Sequence, residues 1–231
     1  MLIGPQNSTV HVNYVRSRIR DAALSAGRDP ATVTLVAVTK SQSAENIRSA
    51  ATAGVTDFGE NYLQEALGKM DLLADLPLVW HFIGGIQSNK TAALAERFDW
   101  VHSIDRLNVA RRLSQQRPAH LAALNLCIQV KLVPEATKGG VPPEAAGALA
   151  AAIAELPRVR LRGLMCVPPP QIDVAAQRAV FARLARLREE INAGGNRLDT
   201  LSMGMSGDFE SAIAEGSTLV RIGTALFGAR Q

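Results

Sequence analysis

Cysteine, aromatic side chains and long apolar runs are all scarce in this chain of 231 residues. The two cysteines, Cys127 and Cys166, lie inside apolar stretches and match neither a metal-binding nor a redox spacing. We therefore expect buried free thiols in a reducing compartment. No apolar run has the length of a membrane span, and the first residues lack the apolar core of a signal peptide. The sequence thus predicts a cytoplasmic protein with no membrane partner.

Aromatic residues make up 4% of the chain, whereas hydrophobic residues of all kinds make up 47%. This composition favours helices packed on aliphatic strands. The formal charge of +4 comes mainly from arginines spread along the chain, and the densest group is Arg178, Arg183, Arg186 and Arg188. Arginines at this spacing are typical of the solvated face of a helix, so we expect no nucleic-acid partner.

Strand-like and helix-like segments alternate along the chain. The first strand, 33–40, is a near-continuous aliphatic and β-branched run, which is typical of a parallel strand buried on both faces. The other predicted strands cover 57–61, 79–84, 100–105, 125–131, 159–167, 201–206 and 219–224. The predicted helices cover 7–26, 43–53, 62–76, 88–97, 105–116, 143–156, 173–192 and 207–215, with Ser43, Ser88 and Asp105 at helix N-termini.

About eight repeats of strand and helix with right-handed crossovers predict an α/β protein, a single (β/α)8 TIM barrel spanning residues 1–231. The extra N-terminal helix would cover the place of a final full helix. A doubly wound open sheet is the alternative, but no Gly-x-Gly-x-x-Gly fingerprint follows the first strand.

The last two predicted strands have one small or polar face each. Alternation puts Ser202, Gly204 and Ser206 on one face of the seventh strand. It puts Arg221 and Gly223 on one face of the eighth. In a parallel barrel, phosphate is commonly held after strands seven and eight. The pattern predicts an anion pocket in which Ser206 offers a hydroxyl, Gly223 allows close approach, and the amide of Thr224 donates.

Barrel closure makes the eighth strand the neighbour of the first and so brings Lys40 beside Arg221. Lys40 is one of only five lysines and ends an apolar strand. Desolvation and a neighbouring guanidinium would leave it a nucleophilic amine, suited to a Schiff base with a phosphorylated aldehyde. Pyridoxal 5′-phosphate is the leading candidate. A solvated terminal lysine and, for Arg221, an ion pair inside the barrel are the alternatives.

Two further roles follow from this arrangement. Arg221 opposite a pyridine nitrogen would keep that nitrogen unprotonated and blunt the electron-sink character of the cofactor. Asn61, at the end of the second strand, would hydrogen-bond a ring oxygen, or else simply form a turn.

Several motif blocks stand out along the sequence: LVAVTK (35–40), FGENY (58–62), WHFIG (80–84) with QSNK (87–90), LRGLM (161–165), LSMGMS (201–206) and VRIGT (220–224). Together they resemble the pyridoxal phosphate homeostasis proteins, and the resemblance implies a fold like the N-terminal barrel of alanine racemase. The resemblance implies pyridoxal phosphate bound as an internal aldimine on Lys40. It implies that Arg221 faces the ring nitrogen, that Asn61 lines the ring, and that the phosphate is bound by Ser206, Gly223 and Thr224. His81 and Ser202 lie in matching blocks and would line the pocket.

The resemblance further implies a cofactor-binding homeostasis protein that acts in vitamin B6 and amino-acid balance and is not an enzyme. The only tyrosines of this sequence are Tyr14 and Tyr62, and neither is placed as the second acid/base that racemisation needs. We expect a monomer, with apo-enzymes that use pyridoxal phosphate as possible recipients. A pyridoxal-phosphate-dependent racemase or lyase is the alternative, and a cofactor-free barrel aldolase is a third.

The chain departs from the family pattern in two loops. After the third strand it carries Gly84-Gly85, which we expect to make that loop more flexible, and after the fifth strand it carries Lys131 where asparagine is expected. Glu135 and Lys138 still match the family pattern Glu-x-x-Lys-Gly. Lys138 is either a transient receiver of cofactor or a solvated loop lysine.

Overall fold

The computed structural model describes residues 5–133, 139–170 and 173–228. Eight parallel strands form a closed barrel in chain order, and the eighth pairs with the first. This confirms the predicted TIM barrel. The strands are β1 (Thr34–Val38), β2 (Asp57–Glu60), β3 (Val79–Phe82), β4 (Trp100–Ile104), β5 (Leu124–Gln129), β6 (Val159–Met165), β7 (Thr200–Ser202) and β8 (Leu219–Ile222).

Helices surround the barrel. They are α1 (Pro5–Ser25), α2 (Ala44–Thr52), α3 (Leu63–Leu72), α4 (Thr91–Arg97), α5 (Leu107–Gln116), α6 (Pro143–Ala154), α7 (Val174–Ala193), α8 (Phe209–Ala214) and α9 (Thr224–Phe227). Short 3-10 turns occupy Pro30–Thr32 and Ser88–Lys90. Helix α1 packs against α2, α8 and α9, so it covers the side of the barrel where α9 is too short to do so.

All eight strands end earlier than the sequence predicts, and the differences at β1 and β7 bear on the site. Strand β1 ends at Val38, so Lys40 lies in the segment just beyond it. Strand β7 ends at Ser202, because Gly204 adopts a φ of +95° that no regular strand accommodates. The strand predicted to reach residue 206 is therefore wrong, and Ser206 lies in the turn before α8.

Two of the three predicted N-caps are also wrong. Ser43 does cap α2, accepting a hydrogen bond from the amide of Asn46. Ser88 instead begins a 3-10 turn, and Asp105 precedes the cap residue of α5, Arg106, with which it forms an ion pair. The carboxylate of Asp105 pairs with Arg106 and does not cap the first turn of α5.

The apolar core lies between the barrel and its helices, and its largest fully buried side chains include Phe58, Phe98, Phe181 and Phe209. Cys127 and Cys166 are buried and free, as predicted, and burial raises the pKa of each thiol to about 12. Over the described ranges, the structure contains no helix that is long and apolar enough to cross a membrane.

Candidate functional site

The pairing of β1 with β8 brings the segment after β1 next to the turn after β8. Val36 is in register with Arg221, and a Cβ placed on Gly223 would lie 3.4 Å from the carbonyl oxygen of Val38. Lys40, which is half-buried, follows Val38 in this direction. The register therefore carries the Lys40 segment toward the turn at Gly223 and Thr224, at the carboxyl ends of the strands.

The backbone on both sides of Lys40 is held by side chains from β2 and α3. Lys69 donates from Nζ to the carbonyl oxygen of Thr39 at 2.7 Å, and the amide of Ser41 donates to Glu65 Oε1 at 2.6 Å. Ser41 has a φ of 62°, in the left-handed region that costs a non-glycine residue about 1 kcal/mol or more. These bonds stabilise an otherwise unfavourable backbone conformation next to Lys40.

Lys69 is itself the centre of a buried ionic cluster. Its Nζ lies 2.7 Å from Glu60 Oε1 and 2.6 Å from Glu65 Oε1, and Glu60 also accepts from the hydroxyl of Thr39. Burial raises the pKa of Glu60, although the hydrogen bonds from Lys69 and Thr39 and the charge of Lys69 act against that rise. This cluster was not predicted from the sequence. Its signal was the spacing of Glu65 and Lys69, four residues apart on one helix face.

Arg221 is buried inside the barrel, where it is 4% exposed. It donates from Nη1 to the Ser202 hydroxyl at 2.6 Å and from Nη2 to the carbonyl oxygen of Cys166 at 2.8 Å. Burial lowers the pKa of the guanidinium. None of its hydrogen bonds within the described chain goes to a carboxylate, so the interior ion pair considered as an alternative is not formed there.

The guanidinium also has more N–H groups than these two bonds use. A buried cation without an anionic partner is costly, and it is suited to a ligand that brings a hydrogen-bond acceptor or negative charge.

Ser202 continues into a chain of buried polar side chains across the barrel. Its hydroxyl lies 2.7 Å from His102 Nδ1, and His102 Nε2 lies 2.9 Å from His81 Nδ1. His81 Nε2 lies 2.9 Å from Asp57 Oδ1. Burial holds the pKa of His102 well below its ordinary value, and the charge of Arg221 acts in the same direction. His102, a buried histidine in the mostly apolar strand β4, was not predicted from the sequence.

Ser206 and the turn at Gly223 form a second part of the site. The amide of Ala225 donates to the Ser206 hydroxyl at 3.3 Å, which joins the turn before α8 to the start of α9. Thr224 is exposed and begins α9. Ser206 and Thr224 thus lie at one edge of the barrel mouth, as the sequence predicts, although Ser206 reaches it from a turn.

Asn61 directly follows β2, and its Oδ1 is buried without a hydrogen-bond partner among the described residues. A Cβ on Gly84 would lie 2.0 Å from the carbonyl oxygen of Asn61, so the loops after β2 and β3 touch through the backbone. Gly84 is therefore required for close packing. The flexibility expected of the Gly84-Gly85 loop stays a prediction.

Two residues named in the sequence analysis, Glu135 and Lys138, lie outside the described residues. Lys131 is described, and its amide donates to the carbonyl oxygen of Val141 at 2.8 Å. The described site therefore combines an amine on a tightly held backbone, a buried guanidinium, a hydroxyl beside a glycine turn and an unpartnered amide oxygen. These groups fit a planar, phosphorylated aldehyde with polar atoms on its ring.

Comparison with known proteins is consistent with this chemistry. The family model described as "Alanine racemase, N-terminal domain" matches residues 10–231. A pyridoxal phosphate homeostasis protein of Pseudomonas aeruginosa is 62% identical over 225 residues, which is 96% of each chain. The protein of that name from Escherichia coli K12 is 49% identical over 219 residues, 94% of each chain.

Solved structures agree with these sequence matches. PipY of Synechococcus elongatus with pyridoxal phosphate bound is 40% identical with a TM-score of 0.82, over 91% of this chain and 100% of that one. An alanine racemase of Clostridium difficile, with a TM-score of 0.74, is 11% identical and shares the fold alone; the match covers 95% of this chain and 57% of the racemase.

Proposed function

Because this chain belongs to the family of pyridoxal phosphate homeostasis proteins, we propose that it holds pyridoxal 5′-phosphate as a Schiff base on Lys40 and serves the cell's vitamin B6 and amino-acid balance. The observation that carries this proposal is the closure of β1 onto β8, which directs the Lys40 segment toward the turn at Gly223. The PLP-bound PipY structure supports the identity of the cofactor.

Lys40 supplies the covalent attachment. Its neutral Nζ adds to the aldehyde carbon, a carbon–nitrogen double bond forms, and one water molecule leaves. The step needs no oxidant or reductant. The cluster of Glu60, Glu65 and Lys69 supports it by holding the peptide groups before and after Lys40 in one conformation.

Arg221 and Asn61 orient the ring. The guanidinium donates to the ring nitrogen with an N–H that the Ser202 and Cys166 bonds do not use. Its permanent charge keeps that nitrogen unprotonated, which suits holding the cofactor more than using it as an electron sink. The unpartnered Oδ1 of Asn61 is available to a hydroxyl on the ring.

The phosphate is bound by the turns that follow β7 and β8. Ser206 donates from its hydroxyl, Gly223 lets the backbone approach, and the amide of Thr224 donates to a phosphate oxygen. The hydrogen bond from the amide of Ala225 supports this role, because it fixes the position of the Ser206 oxygen.

The bound pool would buffer free pyridoxal phosphate and supply apo-enzymes in the cytoplasm, with the protein acting as a monomer and without turnover of its own. Transfer is tested by mixing the loaded protein with an apo-enzyme and following recovery of its activity. Recovery no faster than the spontaneous release of cofactor would indicate simple buffering.

The absorbance spectrum tests the attachment. Protein reconstituted with pyridoxal phosphate should show a visible band that Lys40→Ala lacks and that Lys90→Ala, a matched lysine variant, retains. Borohydride reduction followed by peptide mass analysis should place the pyridoxyl group on Lys40. A colourless reconstituted protein overturns the cofactor assignment, and an adduct on another lysine overturns the role of Lys40.

Deuterium oxide distinguishes a carrier from an enzyme. Incubation of the loaded protein with amino acids should leave their α-protons in place over many minutes. Exchange at rates typical of enzymes would favour a racemase or lyase that uses the same attachment.

A further inference from the structure

The polar chain inside the barrel links the cofactor site to the opposite end of the fold. Resting on the proposed function, we propose that Ser202, His102 and His81 are positioning residues that hold Arg221 as a hydrogen-bond donor to the cofactor ring. These side chains, together with Arg221 and Asp57, form a polar chain in which every hydrogen bond points away from Arg221. The polar chain ends on Asp57.

The direction of the chain follows from its first member. A guanidinium has only donors, so Ser202 Oγ accepts from Arg221 across 2.6 Å. The single proton of the Ser202 hydroxyl is then directed to His102 Nδ1, 2.7 Å away. Among the described residues, this buried hydroxyl has no other hydrogen-bond acceptor.

The two histidines continue in the same direction. With Nδ1 accepting, a neutral His102 carries its proton on Nε2 and donates to His81 Nδ1 at 2.9 Å. His81 in turn carries its proton on Nε2 and donates to Asp57 Oδ1 at 2.9 Å. Both imidazoles are therefore neutral and protonated at Nε2.

The opposite direction satisfies fewer groups. If His102 donated from Nδ1 to Ser202, the serine oxygen would accept twice, and its own proton would be left without an acceptor among these contacts. His81 would then have to be a cation to donate from both nitrogens. An unmet buried donor costs about 1–3 kcal/mol, and a buried charge costs more.

Asp57 gives the chain an anionic end. Its carboxylate also accepts from the hydroxyl of Thr56 at 2.6 Å. It lines a cavity of about 230 Å³ at the amino-terminal ends of β1 and β2, bordered by Arg16 and Arg20 of α1. The chain thus spans the barrel interior, from a cation at the carboxyl ends to a carboxylate at the other face.

This arrangement matters for the cofactor because it fixes which N–H groups of Arg221 remain for the ring. Ser202 accepts a hydrogen bond from Nη1 while its own hydroxyl donates to His102. Without that acceptor, the hydroxyl hydrogen of Ser202 turns toward Arg221, and two donors then face each other. The guanidinium then loses its fixed orientation.

Imidazole nitrogen shifts measured by NMR test the direction in the cofactor-free protein. We expect His102 and His81 to be neutral with the proton on Nε2. A proton on His102 Nδ1 would overturn the proposed direction. This measurement does not depend on the cofactor, so it stands even if the proposed function fails.

Variants test the positioning role in the loaded protein. His102→Leu removes the acceptor, and we expect it to weaken cofactor binding about tenfold or more and to shift the absorbance maximum of the bound cofactor. His102→Asn, which keeps an acceptor near the Nδ1 position, should restore most of the affinity and the wild-type maximum. Ser202→Ala removes the same link with a smaller change in volume and should shift the maximum in the same direction.

The control is Thr200→Val on the same strand, whose hydroxyl donates to Asp199 and does not belong to the chain. It should lower thermal stability without moving the absorbance maximum. If His102→Leu and Ser202→Ala likewise lose only stability, the positioning role is overturned. A protein that binds no pyridoxal phosphate would overturn the proposed function and this role together, while leaving the tautomers as measured.

Discussion

Lys69 forms three short hydrogen bonds within the barrel wall, two of them to carboxylates and one to the peptide group before Lys40. It was not among the residues that the sequence pointed to. The sequence singles out Lys40 because an amine after an apolar strand is unusual. Lys69 lies on an ordinary helix, and only folding shows that it turns toward β1.

Lys69→Met should therefore affect both stability and the site. Removing the cation leaves the buried carboxylate of Glu60 and the partly exposed carboxylate of Glu65 uncompensated, with an expected loss of about 3–5 kcal/mol in the free energy of unfolding. The loss should be smaller at pH 5 than at pH 7, because Glu60, whose pKa burial already raises, then takes up a proton more easily.

Urea unfolding and cofactor titration measure the two effects of Lys69→Met. Adding Glu60→Gln should recover part of the stability, since it removes the unpaired charge and keeps the acceptor for Thr39. If the single variant binds cofactor as tightly as the wild type, the hydrogen bond from Lys69 to the backbone before Lys40 has no role in binding.

Asp57 should make stability depend on pH in the acid range. Burial alone would raise its pKa, but the hydrogen bonds from His81 and Thr56 outweigh burial and lower it. A carboxyl group with a depressed folded-state pKa contributes stability above its unfolded pKa and loses it as pH falls through the folded value. Asp57→Asn should thus cost most at neutral pH, and the difference from wild type should shrink below about pH 4.

Denaturant unfolding of both proteins at several pH values checks this dependence. Asp199→Asn is a useful comparison, because Asp199 is paired with Arg162 outside the interior chain. A constant difference between Asp57→Asn and wild type from pH 7 to pH 3 would contradict the proposed anionic end.

At the scale of elements, the alternation of strand-like and helix-like segments predicted the eight strands, but not their ends. β7 stops where Gly204 takes a positive φ, and a Cβ there would lie 2.7 Å from Ala212 Cβ on α8. Period-two alternation cannot anticipate such a stop, because it depends on how closely a helix packs over the turn. Ser206 consequently reaches the barrel mouth from a turn.

Contact between the loops after β2 and β3 gives a matched pair of variants. Gly84→Ala would force its Cβ into the carbonyl group of Asn61, so we expect a loss of about 1–3 kcal/mol and weaker cofactor binding. Gly85→Ala has nothing within 4 Å of the added carbon and should leave both properties close to wild type. Thermal unfolding of the two variants measures the loss of stability, and cofactor titration measures the loss of binding.

Equal behaviour of the two glycine variants would show that the close approach of Gly84 to Asn61 is unimportant. A loss of binding in Gly84→Ala without a loss of stability would instead point to Asn61 as the group displaced.

At the scale of the whole molecule, the rise in melting temperature on cofactor binding distinguishes variants of the site from variants of the barrel core. Binding stabilises the folded state by about 2.7 kcal/mol when free ligand is a hundredfold above Kd. Wild-type protein should therefore melt at a higher temperature with pyridoxal phosphate, and Lys40→Ala should lose most of that increase.

Val15→Ala is the control for Lys40→Ala, because it changes the packing of α1 and not the site. Val15 is fully buried on α1, so its truncation should lower the melting temperature of the free and loaded proteins by similar amounts. Differential scanning calorimetry of the three proteins measures both effects. A Val15→Ala protein that lost the response to cofactor would mean that α1 controls the site.

The sequence by itself determined the barrel, because hydropathy and side-chain alternation are local properties repeated along the chain. It also pointed to Lys40 and Arg221, since each is an unusual charge in an apolar strand. Only the tertiary structure decided what holds them. Ser202 meets His102 across a hundred residues of chain, and Lys69 meets Thr39 across thirty. Such contacts depend on barrel closure and strand register, which no local pattern encodes.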